Sequence, residues 1–167
     1  MKMKKIGEGA SRTVFLLEDG RIMKRPNYMN YGEKIGVGSA YKGAFEKLVE
    51  LTKDDPKVAK VLELEKEGRE LYSSCRNNFV EYMVSLLLNE EEKGGFALCT
   101  DIRVRRSTDI QKISVVGFYE NAYTKKRCHD QKKYRKFEKR TKFMIKDLHF
   151  GNFRKGMVVD YAAIETH

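Results

Sequence analysis

The sequence predicts an α+β fold, an antiparallel sheet accompanied by helices, and three observations carry that expectation. Apolar runs at 13–17 and 21–24 flank Asp19-Gly20, a dipeptide suited to the tight turn of a β-hairpin. Phe79, Val80, Met83, Val84, Leu86, Leu87 and Leu88 fall within about 76–89 and predict a largely buried helix, ended by Asn89 with Gly94-Gly95. Two further apolar segments, about 96–104 and 112–119, are separated by the polar turn 105–111 and read as paired strands. At 167 residues and 41% hydrophobic content the chain is long enough for one substantial core and one domain, 1–167.

The elements follow in order. A hairpin runs to Arg25, and a polar link containing Pro26, Tyr28 and Tyr31 comes next. Helices are expected at about 39–52 and 56–73, the second capped by Asp55 with Pro56 in its first position, where the missing N–H costs nothing. Then come the apolar helix and the two strands. A basic helix spans about 129–142, followed by a polar loop and a final hairpin strand. No apolar run is long enough to span a bilayer and no secretory segment follows Met1-Lys2-Met3-Lys4-Lys5. Cys75, Cys99 and Cys128 are odd in number and lack metal-ligand spacing, so they read as reduced thiols of a cytoplasmic protein. Cys128-His129 reads as a surface dipeptide of the basic helix.

Chemistry concentrates near the C-terminus. Asp147 and Asn152 are five positions apart in Lys146-Asp147-Leu148-His149-Phe150-Gly151-Asn152, and Asp160 ends the short apolar run Val158-Val159. Phosphoryl transfer from ATP uses such a set: Asp147 orients or deprotonates the acceptor hydroxyl, while Asn152 and Asp160 are oxygen ligands for Mg²⁺. At the other end, Gly7 and Gly9 precede Val14 in a glycine-rich hairpin, which lets backbone approach phosphates, and Lys24 on the returning strand can reach their oxygens. Neither a P-loop nor a dinucleotide-binding turn fits, because no Gly-Lys-Ser/Thr and no following helix are present. Glu81 is the one acid inside the apolar helix, and a carboxylate there needs a cationic partner unless it faces water.

These motifs resemble the protein kinase-like superfamily in family order. Gly7, Gly9 and Val14 match its glycine-rich strand, with Arg12 standing where the third glycine would be; Lys24 matches the strand lysine. Asp147-Leu148-His149-Phe150-Gly151-Asn152 is similar to the loop of aminoglycoside phosphotransferases and atypical bacterial kinases, and Val159-Asp160-Tyr161-Ala162 stands where the metal-binding Asp-Phe-Gly would. The resemblance implies an N-lobe sheet with helices over about 1–120, a truncated C-lobe over 121–167, and Glu81 as the acid that positions Lys24. Glu63, Glu65, Glu67 and Glu70 are competitors for that role. It also implies ATP and Mg²⁺ as cofactors and a phospho-acceptor, a protein Ser/Thr residue or, as the alternative, a small molecule. Seven residues follow Asp160, so the activation segment and helical subdomain of typical protein kinases have no counterpart.

Charge supports a rival expectation. Residues 125–142 hold ten Lys and Arg against Asp130 and Glu138, which concentrates +8 of the overall +10 in one segment. With Tyr134 and Phe137 interleaved, a nucleic-acid-binding helix is conceivable; packing of both rings on the core, with the cations docking an acidic protein partner or a homodimer, is favoured over it. The second function class is accordingly a binder, a pseudokinase or a basic docking module on the same scaffold.

Overall fold

The computed structural model describes residues 2–9, 12–27, 38–67, 70–71, 73–106, 110–118, 121–127 and 133–166. The described residues form a mixed α+β structure. It begins with an antiparallel meander: β1 (Met3–Glu8), β2 (Arg12–Leu17) and β3 (Ile22–Pro26), with Gly7 opposite Val14 and Val14 opposite Lys24. The Asp19-Gly20 turn joins β2 to β3 as expected, the Asp19 carboxylate accepting from the Arg21 amide at 3.0 Å. Strand β1 is an addition to the expected single hairpin. It is a mostly exposed edge strand, and the lysines that keep it wet also hide it from a search for apolar alternation.

Helix α1 (Ala44–Thr52) starts five residues later than expected. Lys42 and Gly43 both adopt left-handed backbone, with φ of 52° and 77°, which a right-handed helix cannot include. The preceding Ala40–Tyr41 forms a two-residue strand, β4. Helix α2 (Pro56–Lys66) begins as the sequence predicts, with the Asp55 carboxylate accepting from the amides of Lys57 and Val58 at 3.0 and 3.2 Å. It stops short of residue 73, and Glu70–Leu71 forms β5. Helix α3 (Ser73–Leu87) buries Phe79, Val80, Glu81, Met83 and Val84.

Strands β6 (Cys99–Arg106) and β7 (Ile110–Gly117) pair antiparallel. Strand β7 is the hub: β3 pairs with its last residues, β5 runs parallel to Ile110–Gln111, and β6 follows it almost throughout. At Gly117, with φ of 149°, a Cβ would lie 2.4 Å from the Thr100 amide nitrogen, so only glycine lets β6 and β7 close at their bulge. Helix α4 (Tyr134–Thr141) is the described part of the basic helix; Cys128, His129 and Lys132 lie outside the described residues. Strand β8 (Phe143–Ile145), the hairpin β9 (Phe153–Arg154) and β10 (Met157–Val158), and β11 (Ile164–Thr166) complete the chain. A small sheet, β4-β11-β8, fastens the segment ahead of α1 to the C-terminal strands.

One hydrophobic cluster runs from Val14 to Ile164 with α3 near its centre. Phe96 stands edge-on to Phe137 of α4 and to Tyr161, with centroids 5.5 and 5.2 Å apart, which joins the sheet side to the C-terminal strands. Asn78 is a buried polar fastener. Its amide donates to the carbonyls of Lys24 and Ile113, so α3 is tied to both β3 and β7. Cys75 and Cys99 are free, buried thiols, and no helix among the described residues is long and apolar enough to cross a membrane.

Candidate active site

Strand β3 carries Lys24 inward on the face it shares with Ile22, which packs in the core with α3, while Met23 is buried in a small separate cluster with Leu17 and Val116. The ammonium donates to both oxygens of Glu81, at 3.0 and 2.9 Å, and to the Val159 carbonyl. Phe118 and Tyr123 flank it, their centroids 4.8 and 5.5 Å away. Burial and neighbouring Arg12 oppose its charge, but Glu81, Tyr123 and Asp160 outweigh them and hold Lys24 above its ordinary value.

Arg12 opens β2 and points into the same place, only 7% exposed. Nη1 meets Glu81 Oε1 at 2.6 Å and Asn78 Oδ1 at 3.1 Å, and Nη2 meets Asp160 Oδ1 at 2.7 Å. Burial works against this cation, and Asp160 and Glu81 more than offset it. Burial likewise works to raise the Asp160 carboxyl, while Arg12, Lys24 and the Ala162 amide hold it well below the usual carboxylate range. Two cations and two anions therefore form one network, Lys24–Glu81–Arg12–Asp160.

The Asp147–Asn152 loop lines the same cavity as Lys24, Arg12 and Asp160. Asp147 takes left-handed backbone, φ 60°, which aspartate tolerates better than most residues. Its carbonyl accepts from Asn152 Nδ2 at 2.7 Å, the Asn152 amide donates to the His149 carbonyl at 2.9 Å, and His149 Nδ1 accepts from the Gly151 amide at 3.1 Å. With Nδ2 committed to that carbonyl, Oδ1 is the acceptor atom of the Asn152 side chain. The Asp147 carboxylate is 60% exposed, with His149 Nε2 at 3.6 Å.

All of these surround one cavity of about 460 Å³, lined by Gly7, Gly9, Arg12, Val14, Lys24, Tyr123, Asp147, Asn152 and Asp160 among others. Of the residues the sequence singles out, Gly7, Gly9, Val14, Lys24, Asp147, Asn152 and Asp160 share it, and Glu81 lies behind, anchoring Lys24. Arg12 enters the sequence pattern only as the residue in place of a third glycine, and Asn78 has no place in it. Asn78 sits three residues before Glu81 on one helix face, and that spacing was a usable signal. A second cavity of about 400 Å³ has Phe96, Phe118 and Met157 in its walls with Lys93, Lys133 and Lys155, and no acid is among its described lining residues.

Hard oxygen donors suit Mg²⁺, and Asn152 and Asp160, which both line the cavity, carry side-chain oxygens of that kind. The described residues hold no cluster of three or more Asp, Glu, His or Cys able to hold a metal by themselves. Mg²⁺ is commonly bound by one or two protein oxygens plus substrate phosphates, and the donor set fits that mode. The chain matches no protein-family model, no curated protein and no solved structure. What fold and site define is an α+β protein with a buried ion network opening into a polar cavity.

Proposed function

We propose that this cavity binds ATP with Mg²⁺ and that the protein is a phosphotransferase with a kinase-like fold. The observation that carries the proposal is the Lys24–Glu81 pair, contributed by a strand and a helix and set beside Asp147, Asn152 and Asp160 in one cavity. A lysine held by a helix carboxylate is a preorganised phosphate cation, since its position is fixed before the ligand arrives. The sheet order supports the fold: a glycine-containing meander, a helix behind it, and a strand pair added next to β3. Gly7 and Gly9 would give backbone access to phosphates, and Asp147, which lines the cavity with an exposed side chain, would receive a proton from an acceptor hydroxyl. Asn152 and Asp160 would hold Mg²⁺, which supplies neutralisation of the phosphate charge. A protein Ser/Thr hydroxyl is the acceptor class proposed, with a small-molecule hydroxyl as the alternative.

The test is thermal unfolding with ATP. Ligand binding to the native state raises the melting temperature by mass action, so ATP should protect only when Mg²⁺ or Mn²⁺ is present, and Asp160→Ala should abolish the shift. Equal protection of the variant, or none in the wild type at millimolar ATP, would sink the proposal. A binder without transferase activity is the second reading. It is favoured by the ion pair between Arg12 and Asp160, which engages the proposed metal ligand.

A further inference from the structure

We propose that Arg12 holds Asp160 in the nucleotide-free protein and passes to the nucleotide's phosphates on binding, so that divalent metal enters only together with nucleotide. This rests on the phosphotransferase reading of the cavity.

Charge balance is the first argument. Lys24 and Arg12 neutralise Glu81 and Asp160 in a largely buried network, so a divalent ion arriving alone would leave the cluster with two uncompensated positive charges. Uncompensated charge away from bulk water is strongly unfavourable, whereas a triphosphate brings the anions that reverse the sign. Donor count is the second. Besides Asn152 and Asp160 the cavity is lined by Glu8 and Asp147, but the described residues bring no three such carboxylates together in a group able to hold a metal, and Arg12 already occupies Asp160 Oδ1 at 2.7 Å. Guanidinium and metal compete for one carboxylate.

Arg12 is also built for the exchange. Its planar fork binds phosphate oxygens in bidentate fashion, and it lines the cavity with Gly7 and Gly9. When it leaves, Glu81 is not orphaned, because Lys24 stays on both its oxygens. Asp160, with its side chain 37% exposed, is open enough to be released. Arg12 is thus a phosphate-binding residue that doubles as the lock on the metal ligand.

The test uses the full chain, Mn²⁺ and a non-hydrolysable ATP analogue, with free Mn²⁺ followed by electron paramagnetic resonance. Wild type should bind no Mn²⁺ alone at concentrations where it binds Mn²⁺ with the analogue. Arg12→Gln should bind Mn²⁺ alone at least tenfold more tightly than wild type and bind the metal–analogue pair at least tenfold more weakly. Arg12→Lys, which keeps a charge but loses the fork, should fall between them and serves if Arg12→Gln fails to fold. Wild-type Mn²⁺ binding that is indifferent to the analogue overturns the proposal, as does an Arg12 variant that binds the pair as wild type does. If wild type binds no analogue even with metal, the phosphotransferase reading falls and this inference with it; analogue binding that ignores Arg12 removes this inference alone.

Discussion

Asp147 joins an exposed carboxylate to a backbone pinned by Asn152, a combination that fixes direction without sacrificing access. Asparagine in its place keeps the shape and removes the carboxylate proposed as base. Asp147→Asn should therefore retain metal-dependent ATP protection while γ-phosphate transfer falls by about a hundredfold or more, measured with radiolabelled ATP. Transfer at the wild-type rate would remove Asp147 from the chemistry. Lys24→Ala should weaken binding and transfer together without unfolding the chain, because Glu81 retains Arg12. Lys24, Glu81, Asp147, Asn152 and Asp160 were legible because each is a polar residue set among apolar neighbours or fixed by spacing. Arg12 was not. In the sequence it shows only as a glycine that is missing, and its partners Glu81 and Asp160 are so far along the chain that no local pattern links them.

Elements were legible where local chemistry decides them, as at the Asp55-Pro56 start of α2 and the Asp19-Gly20 turn. They were illegible where tertiary pairing decides them: β4 and β5 are two residues long and exist because β11 and β7 offer edges. The basic helix α4 shows the same division. Its cations read together as a docking surface for a partner, yet Arg140 reaches within the chain to donate to both oxygens of buried Glu92 at 2.7 Å and to the Leu87 carbonyl at 2.6 Å, tying α4 to the end of α3. The Arg140 hydrogen bond is the main cause holding the Glu92 carboxyl below its ordinary 4.5. A carboxyl lowered by folding adds stability above its unfolded value, and that stability is lost as pH falls through the folded value. Arg140→Ala should cost about 2 kcal/mol near neutral pH, and its unfolding free energy should depend less on pH below about 4.5 than the wild type's. Chemical denaturation at pH 7 and at pH 3 to 4 checks both; an unchanged pH slope would show that Arg140 does not set the Glu92 carboxyl.

At the scale of the molecule, the larger hydrophobic cluster, spanning Val14 to Ile164, decides what the concentrated positive charge can do. Tyr134 and Phe137 are buried in that core, Phe137 stacking with Phe143 at 6.3 Å, so neither ring is available to stack on a base. Aromatic platforms give single-stranded nucleic acid much of its affinity, and without them only phosphate attraction remains. Attraction of that kind is weak, blind to sequence and steep in salt, because each phosphate contact releases counterions. Lys133 at the N-cap of α4 and Lys136 and Lys139 on it are exposed cations, and none of them lines the cavity proposed for ATP. Replacing the three with glutamine should flatten the salt dependence of any nucleic-acid binding in a filter or anisotropy titration, and should leave Mg²⁺-dependent ATP protection at the wild-type level. Tight binding of one nucleic-acid sequence at physiological salt, together with no effect of ATP on stability, would reverse the ranking and make the basic helix, rather than the Lys24–Glu81 cavity, the functional surface of this protein.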